Sequence, residues 1–126
     1  MARTQLSYSP LTGNGAAAAS PTSVDVANGM SLIGTGGWNG GAQPERTILI
    51  VSNTDTSARV ITIKAGTPLL GAGAFPDNAL SIPASSTRYL GPFESARIMQ
   101  ADGTVSIDFA SGFTGTITAL LFPRGI

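Results

Sequence analysis

The sequence predicts an all-β fold: a single small antiparallel β-sandwich, jelly-roll-like, with an extended N-terminal arm. Three observations carry that prediction. About seven to nine short apolar runs recur, with turn formers roughly every 8 to 12 residues. Gly34 to Gly41, Asn53 to Ser57 and Ala110 to Gly115 are dense in Gly, Asn, Asp, Ser and Thr, as loops and turns are. No segment sustains a 3.6-residue apolar period, so no helix is expected.

In chain order, residues 1–22 form the arm and 23–126 the sandwich. The arm holds Pro10, Pro21, Gly13-Asn14-Gly15 and the run Ala16 to Ala19. Leu6, Tyr8 and Leu11 are too few to make a core of their own, so the arm is expected to be disordered or to order only against a neighbouring surface. Ser23 to Ile33 reads as a weak strand broken at Asn28-Gly29. Gly34 to Gly41 is a glycine-rich loop carrying Trp38, either a partly buried residue or a contact anchor.

Arg46 to Ser52 is the strongest strand. Ile48 and Ile50 take one face, Leu49 and Val51 the other, so both faces need cover: the core on one, a loop, the arm or another subunit on the other. Arg59 to Lys64 is expected to return as its antiparallel partner. Ala79 to Ile82 and Thr87 to Leu90 are short strands ended by Pro83 and by Gly91-Pro92. Asp102-Gly103 is a two-residue hairpin signal between strands at about 95–101 and 104–109. Its register pairs Ala101 with Thr104, Ile98 with Ile107 and Arg97 with Asp108. Thr116 to Phe122 closes the chain, again apolar on both faces.

Composition narrows the function. The chain has 126 residues, 7 Lys and Arg, 7 Asp and Glu, and a net charge of zero. At 11% charged residues it lies far below the roughly 25% of ordinary soluble domains. A surface of Ser, Thr, Asn and Gly desolvates at low cost and suits a protein packed against other subunits. No Cys and no His are present, which excludes disulfides, thiolate sites and the Ser-His-Asp triad. Clustered Lys and Arg are missing, so nucleic acid is not an expected partner. No apolar run reaches the roughly 18 residues of a membrane span, and no leader-like apolar segment follows Met1, so the chain is expected to be made in the cytoplasm.

The carboxylates have local explanations. Asp102 belongs to its turn, Asp108 to the expected pair with Arg97, and Asp55 and Asp77 to loops. Asn53 with Asp55, and Asp77 with Asn78, are thin candidates for a calcium site. No catalytic residue, cofactor or metal is expected. Arg88, Arg97 and Arg124 are either surface ion pairs or inter-subunit contacts, where Arg is favoured over Lys.

Val51-Ser52-Asn53-Thr54 and Ile61-Thr62-Ile63-Lys64-Ala65-Gly66, followed by Gly91 to Arg97 (GPFESAR), Asp102 to Phe109 (DGTVSIDF), Thr114 to Ile117 and Phe122 to Arg124, resemble small structural proteins from the head-gene region of tailed bacteriophages, particularly those of actinobacteria. The resemblance covers a little under half the chain, in the same order. It implies a capsid decoration (cement) protein or another minor virion protein without enzymatic activity, assembled in the host bacterial cytoplasm and carried on the capsid exterior. The implied partner is the major capsid protein, and the apolar faces of Arg46–Ser52 and Thr116–Phe122 add the expectation that the chain meets its own copies through those strands as a homotrimer. On that reading Arg3, Leu6, Tyr8 and Leu11 of the arm contact the capsid. Ile48, Ile50, Leu120, Phe122 and Arg124 form the subunit interface. The competing expectation is a tail- or fibre-associated β-sandwich recognising a host-surface glycan, which calls for exposed aromatics among Tyr8, Trp38, Phe75 and Tyr89.

Overall fold

Strand alternation and turn chemistry produce an all-β sandwich. The computed structural model describes residues 3–10, 21–32, 44–66, 76–93, 95–100 and 104–121. Its strands are β1 (Thr4–Leu6), β2 (Tyr8–Pro10), β3 (Thr22–Ser23), β4 (Met30–Leu32), β5 (Thr47–Asn53), β6 (Arg59–Ile63), β7 (Asn78–Ile82), β8 (Ser86–Leu90), β9 (Val105–Phe109) and β10 (Gly115–Leu121). A single helical turn, α1 (Ser95–Ile98), precedes β9. The first sheet runs β1-β4-β9-β6-β7 and the second β2-β10-β5-β8, with β3 also on β10. Gly34 to Gly41 with Trp38, the Asp102-Gly103 turn, Leu11, Phe75, Phe122 and Arg124 lie outside the described residues.

The core lies between the two sheets. Met30, Leu32, Ile61, Ile63, Val105 and Ile107 enter from the first; Leu49, Val51, Ile117, Ala119 and Leu121 enter from the second. Each fully buried aliphatic side chain contributes about 1.5–3 kcal/mol. β5 shows strict alternation, with Thr47, Leu49, Val51 and Asn53 inward and Ile48, Ile50 and Ser52 outward. It pairs with β10 over seven residues, from Asn53 opposite Gly115 to Thr47 opposite Leu121. Gly115 has φ 143°, and a Cβ there would meet the Ser52 carbonyl oxygen at 1.8 Å, so no other residue fits this approach.

Three expectations are corrected. Arg59–Ile63 does not pair with β5. The Asn53 to Ser57 loop carries the chain to the opposite sheet, where β6 lies between β7 and β9. Buried Asn53 holds that crossing: its amide donates to the carbonyls of Ser57, Ile82 and Pro83 at 3.0, 3.1 and 3.3 Å, and its Oδ1 accepts the Asp55 N–H at 3.0 Å. The Ser85 N–H donates to the Asp55 carbonyl at 3.1 Å and closes the same corner.

The strand expected at 95–101 is also absent. β9 is already paired with β4 on one side and β6 on the other, which leaves no edge for it. Ser95–Ile98 coils instead into α1, whose Arg97 carbonyl accepts the Gly66 N–H at 2.8 Å. Among the described residues of this segment Met99 alone bridges, to Val105, and the Gln100 N–H donates to the Thr104 carbonyl. That bridge is one residue out of the expected register, which set Met99 opposite Ser106. Asp108 pairs with Arg3 at 2.5 Å, not with Arg97.

The third correction concerns the arm. β1 adds parallel to β4, and β2 adds parallel to β10, with the chain stepping between sheets at Ser7. These are parallel additions to an otherwise antiparallel sandwich. Leu6 is 2% and Tyr8 8% exposed, and the Tyr8 hydroxyl shares a buried hydrogen bond with the Thr47 hydroxyl at 2.5 Å. Two anchors and two backbone ladders offset the entropy of ordering this segment. Leu6 and Tyr8 are therefore core residues of this chain, where the arm was expected to order only against a neighbouring surface, and Arg3 pairs with Asp108.

Deleting residues 2–10 is expected to cost on the order of 5 kcal/mol, comparable with the whole stability of such a domain. A truncated chain that melts like the full one would show the arm to be dispensable. Asn53→Ala strands buried carbonyls and is expected to cost about 2–4 kcal/mol in urea unfolding; a loss under about 0.5 kcal/mol would contradict the role of the amide.

Candidate interaction surface

The outer faces of the two sheets differ in charge. On the first sheet the outward residues include Gln5, Ser31, Ser106, Thr62 and Asp108, and Arg3 reaches across Gly29 to Asp108. A Cβ on Gly29 would meet Arg3 Nη1 at 2.3 Å and Asp108 Oδ1 at 2.5 Å, so that glycine makes room for the ion pair. Lys64 and Asp77 pair at 2.8 Å where β6 leaves and β7 begins, and Asp77 also accepts the Ala65 N–H at 2.6 Å.

The second sheet presents a different surface. Its registers build three rows across the strands: Ser9, Leu120, Ile48; then Thr118, Ile50, Tyr89; then Ser23, Thr116, Ser52, Thr87. The rows grade from aliphatic to hydroxyl, and Thr87 donates to Ser52 Oγ at 3.1 Å. None of these ten side chains carries a charge at neutral pH. Ile48, Ile50 and Leu120 are half-buried, while Tyr89 is 76% exposed. Of the five residues expected at a subunit interface, the structure brings Ile48, Ile50 and Leu120 together on this face. Tyr89 joins them through the β5–β8 register, which the sequence reading did not supply because it paired β5 with β6.

The charged groups are arranged for structure. Thr4 and the Asn28 N–H hold the Asp25 carboxyl below its ordinary value. Arg59 does the same for Asp55, ahead of the Thr56 N–H. For Asp77 the Ala65 N–H leads, followed by Lys64, and the bond to Asp77 raises Lys64 in turn. Asn53 and Asp55 direct their oxygens to the backbone and to Arg59, so they do not converge on a cation. Among the described residues no three of His, Cys, Asp or Glu come together. A shallow cleft of about 300 Å³ lies between Pro76–Asn78 and Phe93 with Arg97, but its carboxylate, Asp77, already accepts two bonds. Among the described residues no helix is long and apolar enough to cross a membrane.

Comparison with known proteins adds nothing to this surface: no protein-family model matches the chain, and no match was found among curated proteins or solved structures.

The pKa shifts fix the shape of stability against pH. Carboxyls held low in the folded state stabilise it above the ordinary carboxylate value and lose that contribution as pH falls through the lowered values. Lys64, held high, stabilises below its ordinary value and loses that contribution as pH rises through the raised one. With no His, the melting temperature is expected to be flat between about pH 5 and 9, declining outside it. A step near neutral pH in a thermal melt series would contradict this.

Proposed function

We propose that this chain is a structural virion protein: a capsid decoration protein that binds the outer surface of a phage capsid, meets its own copies there as a homotrimer, and performs no catalysis. The observation that carries the reading is the charge-free outer face of Ile48, Ile50, Leu120 and Tyr89, set against a charged face on the opposite sheet. The reading accords with the expectation drawn from the resemblance of Thr47 to Gly66 and Leu90 to Arg124 to phage head proteins.

Magnitude refines the proposal. Strands lie about 4.8 Å apart, and successive outward residues lie about 7 Å apart. Three rows over four strands thus span roughly 300 Å². A stable interface takes about 800 Å² per partner. This face is too small to hold copies together in dilute solution. On a capsid the same contact recurs at fixed spacing, and effective concentration replaces area. The protein is then monomeric when free at micromolar concentration and trimeric on the lattice, where the major capsid protein holds the copies in place.

Electron microscopy of capsids with and without the protein tests this directly. Added density at three-fold positions of the outer surface is expected; density confined to the tail would overturn the reading. Tyr89→Ser and Ile50→Thr are expected to weaken capsid binding by about tenfold or more while the protein still folds.

A second reading, a tail- or fibre-associated module recognising a host-surface glycan, draws on one observation. The Tyr89 ring stands exposed on β8, two residues along the same face from the exposed Thr87, an arrangement that suits stacking against a sugar ring. Clear hits on a glycan array, lost in Tyr89→Ser, would favour it over the capsid.

A further inference from the structure

β7 and β8 are the last strands on one side of the sandwich, β7 in the first sheet and β8 in the second. An edge strand exposes backbone groups that template pairing with another chain, and most proteins guard such edges with charge, proline or a bulge. The two edges differ in this respect.

β8 carries Arg88. Its register partner is Val51, which is fully buried and faces the core, so the exposed Arg88 lies on the core-facing side of the edge strand. An inward charge at an edge opposes sheet extension, because an added strand would cover it.

β7, Asn78–Ile82, has no charged residue, and none follows it until Arg88. The side of β7 that remains open can be derived. The Ala110 N–H donates to the Val60 carbonyl and the Lys64 N–H to the Ser106 carbonyl, so even-numbered residues of β6 bond toward β9. Odd-numbered residues therefore bond toward β7, and the register engages Asn78, Leu80 and Ile82. Ala79 and Ser81 turn their N–H and C=O groups to the side of β7 on which no described strand pairs, and both residues are exposed among the described residues. Pro76 and Pro83 bracket the usable length.

We propose that this edge pairs with itself: β7 of one copy adds antiparallel to β7 of a second copy across a two-fold axis at Leu80. In that register Ala79 meets Ser81 of the second copy as a hydrogen-bonded pair, and Ser81 meets its Ala79. Leu80 meets Leu80 at the closely spaced position between those pairs. Leu80 is half-buried at the rim of the core, so the two leucines cover each other and continue the core across the junction. No charge opposes another anywhere along the five residues. Self-complementarity is what selects a second copy as the occupant: the open groups match their own two-fold image without a change of register. The contact is small and weak, with a dissociation constant of about 1 mM. It is separate from the proposed trimer contact, which uses the outer face of the other sheet, and it does not depend on the capsid reading.

The test uses the whole chain in solution. Amide exchange of Ala79 and Ser81 is followed by NMR at about 20 µM and at about 2 mM, with sedimentation on the same samples. The expected result is fast exchange of both amides when dilute, partial protection when concentrated, and a weight-average mass that rises to about 1.6 times the monomer's, as a constant of about 1 mM gives at about 2 mM. Ser81→Pro removes an edge N–H while sparing the ladder to β6, and is expected to abolish the rise in mass. Ala79→Lys, which sets a charge on the edge, is expected to do the same. Protection of both amides in the dilute sample would overturn the proposal, since the edge would then be covered within one chain. So would a constant mass up to the higher concentration. Should either variant fail to fold, the wild-type exchange and mass measurements decide alone.

Discussion

The buried amide of Asn53 is the interaction on which the arrangement of the two sheets depends. At the end of β5 the chain leaves the second sheet, and at Ile82-Pro83 it leaves the first. One side chain bonds the carbonyls of both crossings. A hydrophobic residue there would leave three carbonyls without donors in a site 1% exposed, and a larger polar one would not fit. With that corner fixed, β6 and β7 form a pair in one sheet while β5 and β8 pair in the other. The outer faces then acquire their separate compositions. Charge collects on the first sheet, where Arg3, Asp108 and Lys64 project, and is missing from the second.

Strand existence was legible in the sequence; strand partnership was less so. The limits of β5, β7, β8, β9 and β10 follow from local alternation and from Pro83, Gly91-Pro92 and the Gly112–Gly115 turn, and they fall within one or two residues of expectation. The expected β5–β6 hairpin failed because NTDTS reads as a tight turn, whereas Asn53 uses it as a crossing between sheets. Arg97 opposite Asp108 was a sound local inference from Asp102-Gly103. It failed because β9 is saturated by β4 and β6, strands distant in sequence. No count along 95–108 contains that information. The arm was misjudged for a similar reason. Three apolar residues cannot make a core, but Leu6 and Tyr8 complete one built elsewhere, and parallel addition to β4 and β10 leaves no local signature.

The interaction surface was half legible. Apolar residues on both faces of Arg46–Ser52 and Thr116–Phe122 indicated that the second face needs a covering, and Ile48, Ile50 and Leu120 do lie side by side. Tyr89 joins them only through the β5–β8 register. The alternation that buries Leu49 and Val51 places Ile48 and Ile50 on the outer face, where Thr would keep the strand propensity and remove the apolar surface. Hydroxyl residues on the neighbouring row, Ser23, Thr116, Ser52 and Thr87, limit the extent of the apolar patch.

The two surfaces differ in the kind of contact they support. Side-chain packing on the second sheet is non-directional and tolerates several relative orientations of a partner. Backbone pairing at β7 fixes strand direction, register and a two-fold relation. A molecule carrying both is weak at each, since roughly 300 Å² of uncharged face and one five-residue edge each fall short of a stable interface. Weakness of that kind has a physical use on a repeating support. Copies that do not associate while free cannot form closed or filamentous aggregates before they reach it. Once positioned, each contact becomes effectively intramolecular, and the energies add across the array. Low charge serves the same end, because neighbouring copies at close spacing meet no mutual repulsion. The composition that first set this sequence apart, with few ions and many hydroxyls, is therefore compatible with the close repetition proposed for this domain.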